Sequence, residues 1–195
     1  KSFFLSNVTL KEFKTASIIN SNIVELTHVT FADNDADVIN DGTLRLYGED
    51  TIISVTNTNG NGASGVINIG SATKTADVTF TDGGSVIQKE LHIAAESELT
   101  TNASVLSITD GIDNAGSIEL TGGTLSSDIS NSAGETIVSG DVENNNAAIT
   151  QKAVTIEDTG ELTTKANLVN ATDGIANEGI LNLDTGALAS DVSGV

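Results

Sequence analysis

The residues with the clearest potential for chemistry are three aspartates in the segment DNDAD, Asp33, Asp35 and Asp37. Their alternate spacing places carboxylates on one side of an extended loop, and Ca²⁺ prefers about six to eight oxygen ligands. The EF-hand frame is not met, because Val38 occupies the position that requires glycine and no glutamate follows at the twelfth position. Calcium binding at this segment is therefore left open, and no other metal site is predicted.

Paired carboxylates can also cleave glycosidic bonds, and some carbohydrate-cleaving enzymes are β-helices. The candidate pairs are Glu96 with Glu98 and Asp110 with Asp113. Both pairs lack neighbouring arginine, lysine or aromatic residues, and sugar sites usually stack an aromatic side chain against the sugar ring. The sequence therefore predicts no catalytic residues here.

The two histidines are the remaining candidates for acid–base or metal chemistry. His28 precedes an alternating segment, Val29-x-Phe31, and His92 lies between Leu91 and Ile93. Neither has a second histidine or a cysteine at a spacing typical of metal ligands. We therefore predict that both histidines are solvated surface residues, and that the chain is not an enzyme and holds no cofactor.

The composition excludes several classes of partner. The chain has 195 residues with 8 basic and 27 acidic side chains, a formal net charge of −19. Proteins that bind nucleic-acid phosphates or anionic membrane surfaces need clustered Lys and Arg, so neither partner is expected. No apolar run approaches the roughly 18 residues of a membrane-spanning helix. Aromatic residues are only 3%, and Cys, Met, Trp and Pro are absent, so the core must consist of stacked aliphatic side chains.

Short strands are predicted along the whole chain, because apolar and polar residues alternate. The alternating pairs are Val8-x-Leu10, Val24-x-Leu26, Val29-x-Phe31, Leu44-x-Leu46, Ile67-x-Ile69, Val78-x-Phe80, Leu91-x-Ile93, Ile118-x-Leu120, Val154-x-Ile156 and Leu181-x-Leu183. Related positions recur at one common spacing in Val38/Val55, Ile112/Ile129 and Ile175/Val192, and at a slightly longer spacing in Ile18/Val38. A longer copy relates residues 109–130 to 172–193, which are far enough apart for about three units.

A nine-residue phrase recurs four times, at residues 18–26, 38–46, 112–120 and 175–183. Its pattern is aliphatic, x, Asn, x, Gly or Asn, x, aliphatic, x, Leu, and the fixed positions share one parity, so they point inward. An inward asparagine must be hydrogen-bonded, so we predict corners where each amide bonds to backbone or to the equivalent asparagine of the next coil. Glycine at these corners is expected to adopt positive φ. The predicted corner residues are Asn20, Asn40, Asn114, Asn177, Gly42, Gly116 and Gly179.

Units of this length cannot fold alone. Burial of about five aliphatic side chains contributes roughly 1.5–3 kcal/mol each, whereas ordering the backbone costs about 1–2 kcal/mol per residue. Stacking pairs every strand with the strands above and below it. Residues 1–195 are therefore predicted to form a single all-β solenoid of about ten short coils, and the Gly- and Asn-rich residues 56–65 a protruding loop.

Phrases such as IDNAGSIELTGGTLSSDIS (112–130) and IANEGILNLDTGAL (175–188) resemble the passenger-domain repeats of autotransporter adhesins and related large bacterial surface proteins. The resemblance covers residues 105–195 well and 15–55 moderately. It implies a right-handed parallel β-helix that is exported across the outer membrane and displayed at the cell surface. The sequence lacks an initiator Met and stops in mid-pattern, so we expect a fragment of a longer protein that is anchored through another region.

The main functional hypothesis is a non-catalytic structural or adhesive segment that presents a binding surface. Its partners would be a glycan or protein of a host or neighbouring cell, and flanking coils of the same chain. The alternative is a secreted polysaccharide-acting β-helix enzyme, similar to a lyase or a phage tailspike. Charged or aromatic residues clustered across successive coils would favour the enzyme, and a featureless outer face would favour the stalk. A third hypothesis places partner binding in the loop 56–65.

Overall fold

Alternation of apolar and polar side chains gives β-strands throughout the described part of the chain. The computed structural model describes residues 2–11, 18–32, 38–52, 54–56, 58–81, 84–165 and 169–194. These ranges contain 25 strands and no helix. Consequently, no helix within them is suited to crossing a membrane. All ten alternating pairs predicted from the sequence lie in strands, which confirms the all-β prediction.

Most strands are short, because a corner follows every few residues. In chain order they are β1 (Ser2–Lys11), β2 (Ile18–Asn20), β3 (Ile23–Ala32), β4 (Val38–Asn40), β5 (Thr43–Ile52), β6 (Val55–Thr56), β7 (Val66–Ile69), β8 (Ala76–Phe80), β9 (Ser85–Gln88), β10 (Glu90–Ile93), β11 (Glu98–Thr101), β12 (Val105–Ile108), β13 (Ile112–Asn114), β14 (Ser117–Leu120), β15 (Gly123–Leu125), β16 (Ile129–Ser130), β17 (Glu135–Val138), β18 (Asp141–Asn144), β19 (Ile149–Gln151), β20 (Ala153–Ile156), β21 (Glu161–Thr164), β22 (Val169–Ala171), β23 (Ile175–Asn177), β24 (Ile180–Leu183) and β25 (Val192–Gly194). Only β1, β3 and β5 are long, with ten residues each.

Parallel pairing stacks these strands into three faces around one core. Face 1 contains the N-terminal halves of β1, β3 and β5, then β7, β10, β13, β16, β19 and β22. Face 2 contains the C-terminal halves of the same long strands, then β8, β11, β14, β17, β20, β23 and β25. Face 3 contains β2, β4, β6, β9, β12, β15, β18, β21 and β24. The fold is thus a right-handed parallel β-helix of about nine turns, as predicted, and about 40 Å long at the usual strand spacing.

Register pairs confirm that the short repeats are single turns. The paired residues are Ile18 with Val38, Val38 with Val55, Ile112 with Ile129, and Ile175 with Val192. The two segments related by the longer repeat, residues 109–130 and 172–193, occupy different faces. The first strand of the earlier segment is β13 on face 1, whereas the first strand of the later segment is β23 on face 2. The copy is therefore displaced by three turns and one additional face.

The core is a continuous stack of aliphatic side chains, in which Phe31 and Phe80 are the only aromatic residues among the described positions. Each buried Leu or Ile stabilises the fold by about 1.5–3 kcal/mol, and it does so by packing on equivalent residues in adjacent turns. Among the described residues, large exposed apolar side chains occur only in the first turn and the last strands. They are Phe3, Phe4, Ile19, Ile180, Leu183 and Val192.

Candidate functional site

Buried amides fasten the corner between faces 3 and 1. Asn20 Nδ2 donates to Asn40 Oδ1 (2.7 Å), and Asn40 Nδ2 donates to Gln88 Oε1 (2.7 Å). The same two amides also donate to backbone carbonyls at the start of the next face-1 strand, Thr43 O (3.0 Å) and Val66 O (3.2 Å). The structure therefore brings Asn20 and Asn40 together in a buried amide ladder with Gln88.

The other two predicted asparagines lie at different corners. Asn114, between faces 1 and 2, donates to Glu135 O (2.9 Å) and Gln151 Oε1 (2.6 Å) and accepts from Gly116 N (3.2 Å). Asn177 lies between faces 2 and 3, and its Oδ1 has no hydrogen-bond partner within the described residues. The nine-residue phrase thus occurs at all three corners, and its four asparagines do not form one ladder.

The expectation of positive φ at Gly42, Gly116 and Gly179 is wrong, because none of the three has a positive φ. These glycines are required for a different reason, the close approach of consecutive turns. A Cβ at Gly42 would lie 2.3 Å from Asn22 O, and one at Gly116 would lie 2.2 Å from Ser97 O. At Gly179 the nearest carbonyl oxygens would be 2.2 Å away. Any side chain there would push two turns apart.

The corner between faces 1 and 2 begins as a bend inside the long strands. Asn7, His28 and Gly48 adopt positive φ of 57°, 55° and 72° in β1, β3 and β5. His28 is exposed, and its Nδ1 accepts a hydrogen bond from Glu49 N (3.3 Å). His28 therefore lies on the surface, where the sequence placed it.

A buried carboxylate, Asp50, lies just after this bend. The register of β3 and β5 shifts here, which indicates a β-bulge. Asp50 is 2% exposed, its Oδ1 accepts from Val29 N (2.6 Å), and its Oδ2 has no partner within the described residues. Burial raises the pKa of Asp50 to about 6, although the Val29 and Tyr47 backbone N–H groups oppose the shift.

This raised pKa predicts a pH-dependent stability difference between the protein and its Asp50→Asn variant. Because Asp50 keeps its proton to about pH 6 when folded but loses it near 3.8 when unfolded, its contribution to stability falls as pH rises across that window. The variant should therefore gain about 2–3 kcal/mol relative to the parent between pH 4 and pH 7. Urea unfolding at each pH measures the difference, and parallel curves for the two proteins would contradict the assignment.

The loop 56–65 connects β6 on face 3 to β7 on face 1, and hydrogen bonds hold it against the solenoid. Asp41 accepts from Thr58 N (3.1 Å), the Thr58 hydroxyl and Ser64 Oγ (2.7 Å). On the other side, Thr109 Oγ1 donates to Gly62 O (2.8 Å). Hydrogen bonds from Thr58 and then Ser64 lower the pKa of Asp41, so the attachment weakens as pH falls through the ordinary aspartate range towards that lower value.

Replacing Asp41 with alanine is expected to release this loop without unfolding the solenoid. Hydrogen–deuterium exchange at residues 58–65 should accelerate at least several-fold, because three hydrogen bonds are lost, while exchange in β7 and β10 stays slow. Asp128→Ala is the matched control, since Asp128 lies at the same corner four turns further along, and its Oδ1 holds Ala148 N (2.8 Å) and not the loop. Equal exchange of the loop in both variants would contradict the role of Asp41.

Outward side chains of face 1 form the most chemically diverse ladder in the described structure. Register pairing places Glu25, Arg45, Asn68, His92 and Asp113 in consecutive turns. The sequence did not single out Arg45 or Asn68, although both occupy outward positions of strands that it predicted. Because neighbouring parallel strands are about 4.8 Å apart, these five side chains form a row about 20 Å long.

A groove of about 440 Å³ lies along this row. We call it the face-1 groove, and its polar and aromatic lining residues are Arg45, Tyr47, Asn68, Ser71, His92 and Asp113. Lys74 Nζ lies 4.3 Å from the centroid of the Tyr47 ring, a cation–π contact, and 3.1 Å from Glu25 Oε1. The groove therefore combines hydrogen-bonding groups, one aromatic ring and charges of both signs.

His92 lies between two carboxylates in this groove. Its Nε2 is 3.4 Å from Glu90 Oε2, and its Nδ1 is 3.6 Å from Asp113 Oδ2. The ring points outward and is partly exposed, as the sequence predicted. A protonated His92 could donate to both carboxylates, whereas the neutral ring could donate to one only.

The carboxylate pairs proposed from sequence do not form one site. Asp110 is paired with Lys89 (3.1 Å), and Asp113 faces His92 in the groove. Glu96 is exposed at a corner, and Glu98 lies on face 2, where burial and the nearby Asp77 raise the pKa of Glu98. No group of three or more His, Asp or Glu suited to a metal occurs among the described residues. Asp33, Asp35 and Asp37 lie outside the described residues.

No protein-family model, curated protein or solved structure matches this chain. The evidence for the repeat architecture is therefore the β-solenoid seen in the structure, and the relation to autotransporter adhesins is a proposal.

Proposed function

We propose that this chain is a non-catalytic β-solenoid segment of a bacterial surface adhesin, which holds a binding surface away from the cell. Support comes from the continuous ladder of about nine turns, a construction that resists bending because every turn is hydrogen-bonded to its neighbours. The proposed binding surface is the face-1 groove, and the proposed partner is a glycan or protein on a host or neighbouring cell. A net charge of −19 keeps such a rod soluble and separate from other copies.

The observation that carries this proposal is the uninterrupted stack of about nine turns, and the face-1 groove is the place on it where diverse outward side chains are concentrated. The face-1 groove contains the only arginine and the only tyrosine of the chain. Elsewhere on the described outer surface, face 2 presents mainly Thr, Ser and acidic residues, exemplified by Thr79, Thr100 and Glu119. A long rod that concentrates diverse side chains along one stretch of its surface is the arrangement expected of a display scaffold.

Exposed apolar residues at both ends support the stalk component. Phe3 and Phe4 in β1, and Leu183 in β24, are at least half exposed. We propose that such residues pack against further coils of the same chain, which would also pair the free strand edges.

A second candidate function, polysaccharide cleavage, is favoured by one observation. His92 and Asp113 lie beside Arg45 in a groove that crosses several turns, and this clustering is what a β-helical enzyme would require. Such an enzyme would use the groove carboxylates for acid–base catalysis.

One pair of assays separates the two functions. The purified chain is applied to a glycan array and to host or neighbouring cells, and each bound oligosaccharide is then incubated with it and analysed for shorter products. Binding without cleavage supports the adhesin, whereas cleavage that is lost in Asp113→Asn would replace it with the enzyme. Antibodies against the chain should label intact cells if the segment is displayed at the surface.

A further inference from the structure

We propose that the face-1 groove binds a sugar residue that carries a carboxylate, and that the guanidinium of Arg45 binds this carboxylate. This inference rests on the proposed adhesive function and specifies its ligand. It depends on three features of the groove, namely an unpaired arginine, polar groups beside it, and the charge of the surrounding protein.

Arg45 is the first feature. All four lysine side chains that the structure describes form ion pairs: Lys74 with Glu25 (3.1 Å), Lys89 with Asp110 (3.1 Å), Lys152 with Glu135 (3.6 Å) and Lys165 with Glu143 (3.3 Å). Arg45 forms none and makes no side-chain hydrogen bond within the described residues, although the chain has 27 acidic residues. Its neighbour in the ladder, Glu25, is already engaged by Lys74. The guanidinium is therefore available to a ligand.

A guanidinium is suited to carboxylates in particular. Its planar fork of N–H donors matches the two oxygens of a carboxylate and forms two parallel hydrogen bonds, whereas a lysine ammonium offers only a point charge. Arg45 is half-buried at the groove wall, which lowers the local dielectric and strengthens such a pair relative to an exposed one.

Groups beside Arg45 fit the remainder of a sugar ring. The side-chain amide of Asn68, one turn away, has no hydrogen-bond partner within the described residues and can donate to or accept from a hydroxyl. His92 and Asp113 lie two and three turns from Arg45, about 10 and 14 Å away, so they can contact the neighbouring residues of an oligosaccharide. Tyr47 contributes an aromatic wall. Hydroxyl groups spaced around a ring need several convergent polar partners of this kind.

The charge of the protein restricts the ligand to a weakly anionic saccharide. A net charge of −19 repels polyanions, but at physiological salt the repulsion between exposed charges is screened beyond about 8 Å. A single carboxylate can therefore reach Arg45, whereas a densely sulfated chain would bring several anions close to Glu25, Glu90 and Asp113. Uronate- or sialate-type residues fit this requirement, and heparin-like polymers do not.

The test uses isothermal titration calorimetry of the whole chain with four kinds of probe. They are a uronate-containing oligosaccharide, a sialylated oligosaccharide, the carboxyl-reduced neutral form of each acidic probe that binds, and heparin. We expect at least one acidic probe to bind, its reduced form to bind at least tenfold more weakly, and heparin not to bind. Arg45→Gln should abolish binding, and Arg45→Lys should weaken it at least tenfold because the fork is lost.

Lys165→Gln is the matched control, since it removes one positive charge from face 3 and should leave the affinity unchanged. Circular dichroism establishes that each variant is folded, which is expected because both side chains point outward. Equal affinity of the parent and Arg45→Gln, equal affinity for acidic and reduced probes, or tight heparin binding would overturn the inference. Binding of neutral glycans alone, or of cells without any acidic saccharide, would overturn the carboxylate inference but leave the adhesive function intact. Cleavage of the probe would overturn the adhesive function itself.

Discussion

Replacing Asn40 with aspartate should destabilise the solenoid by about 3–5 kcal/mol at neutral pH, as expected for an unpaired buried charge. Asn40 is fully buried and makes three amide hydrogen bonds. An aspartate could still accept from Asn20 Nδ2, but it could not donate to Val66 O or Gln88 Oε1. One carboxylate oxygen would therefore face the Val66 carbonyl without a donor, and the Gln88 amide could donate only by turning over and giving up its hydrogen bond to Ile87 O (2.8 Å).

Thermal unfolding monitored by circular dichroism at pH 7 and pH 4 measures this effect. At the lower pH the carboxylate of the variant is protonated when folded and can donate one hydrogen bond, so part of the stability should return. Asn170→Asp is the matched control, because Asn170 points outward from β22 and makes no side-chain hydrogen bond within the described residues. Similar melting temperatures for both variants would show that the amide ladder does not stabilise the corner.

Replacing Gly116 with alanine should cost about 3 kcal/mol or more, although the change adds only one methyl group. Its Cβ would lie 2.2 Å from Ser97 O and 2.5 Å from Ala94 O, and both oxygens belong to the backbone of the preceding turn. Neither can move without disturbing the ladder. The turn must therefore open locally, or the Asn114 corner must lose its hydrogen bond to Gly116 N.

Chemical denaturation of Gly116→Ala and of Gly194→Ala separates this steric effect from the ordinary effect of adding a methyl group. Gly194 also lacks positive φ, but its Cβ would lie 3.4 Å from Asn177 O, an ordinary contact. The control should therefore remain within about 0.5 kcal/mol of the parent. An equally small effect at both positions would contradict the close approach of the two turns.

Much of the fold could be predicted because its rules are local. Alternation gives the strands, and repeats such as Val38/Val55 give the register of adjacent turns directly. The corner occupied by each phrase could not be predicted, since the same phrase occurs at all three corners and turn lengths vary. Ile67 and Leu91 are paired across a long turn, whereas Ile112 and Ile129 are paired across a short one.

The face-1 groove was not predicted, because its residues are far apart in sequence and irregularly spaced. No constant interval separates the members of the ladder, which are Glu25, Arg45, Asn68, His92 and Asp113. A usable signal was nevertheless present, since the only arginine and the only tyrosine both occupy outward positions in one predicted strand. The bulge that buries Asp50 has no such signal, because it depends on how β5 pairs with β3 and with β8 at once.

The displacement of the longer copy by three turns and one face affects how proteins of this kind can change length. Recombination between the two copies, residues 109–130 and 172–193, would delete the residues between them. The first half of the earlier phrase would then continue into the second half of the later one, and the corner sequence would be preserved at the junction. Every strand downstream would then rotate by one third of a revolution about the long axis. A binding surface C-terminal to the junction would therefore face a different direction about the long axis. Such a deletion would change the orientation of that surface as well as shorten the rod.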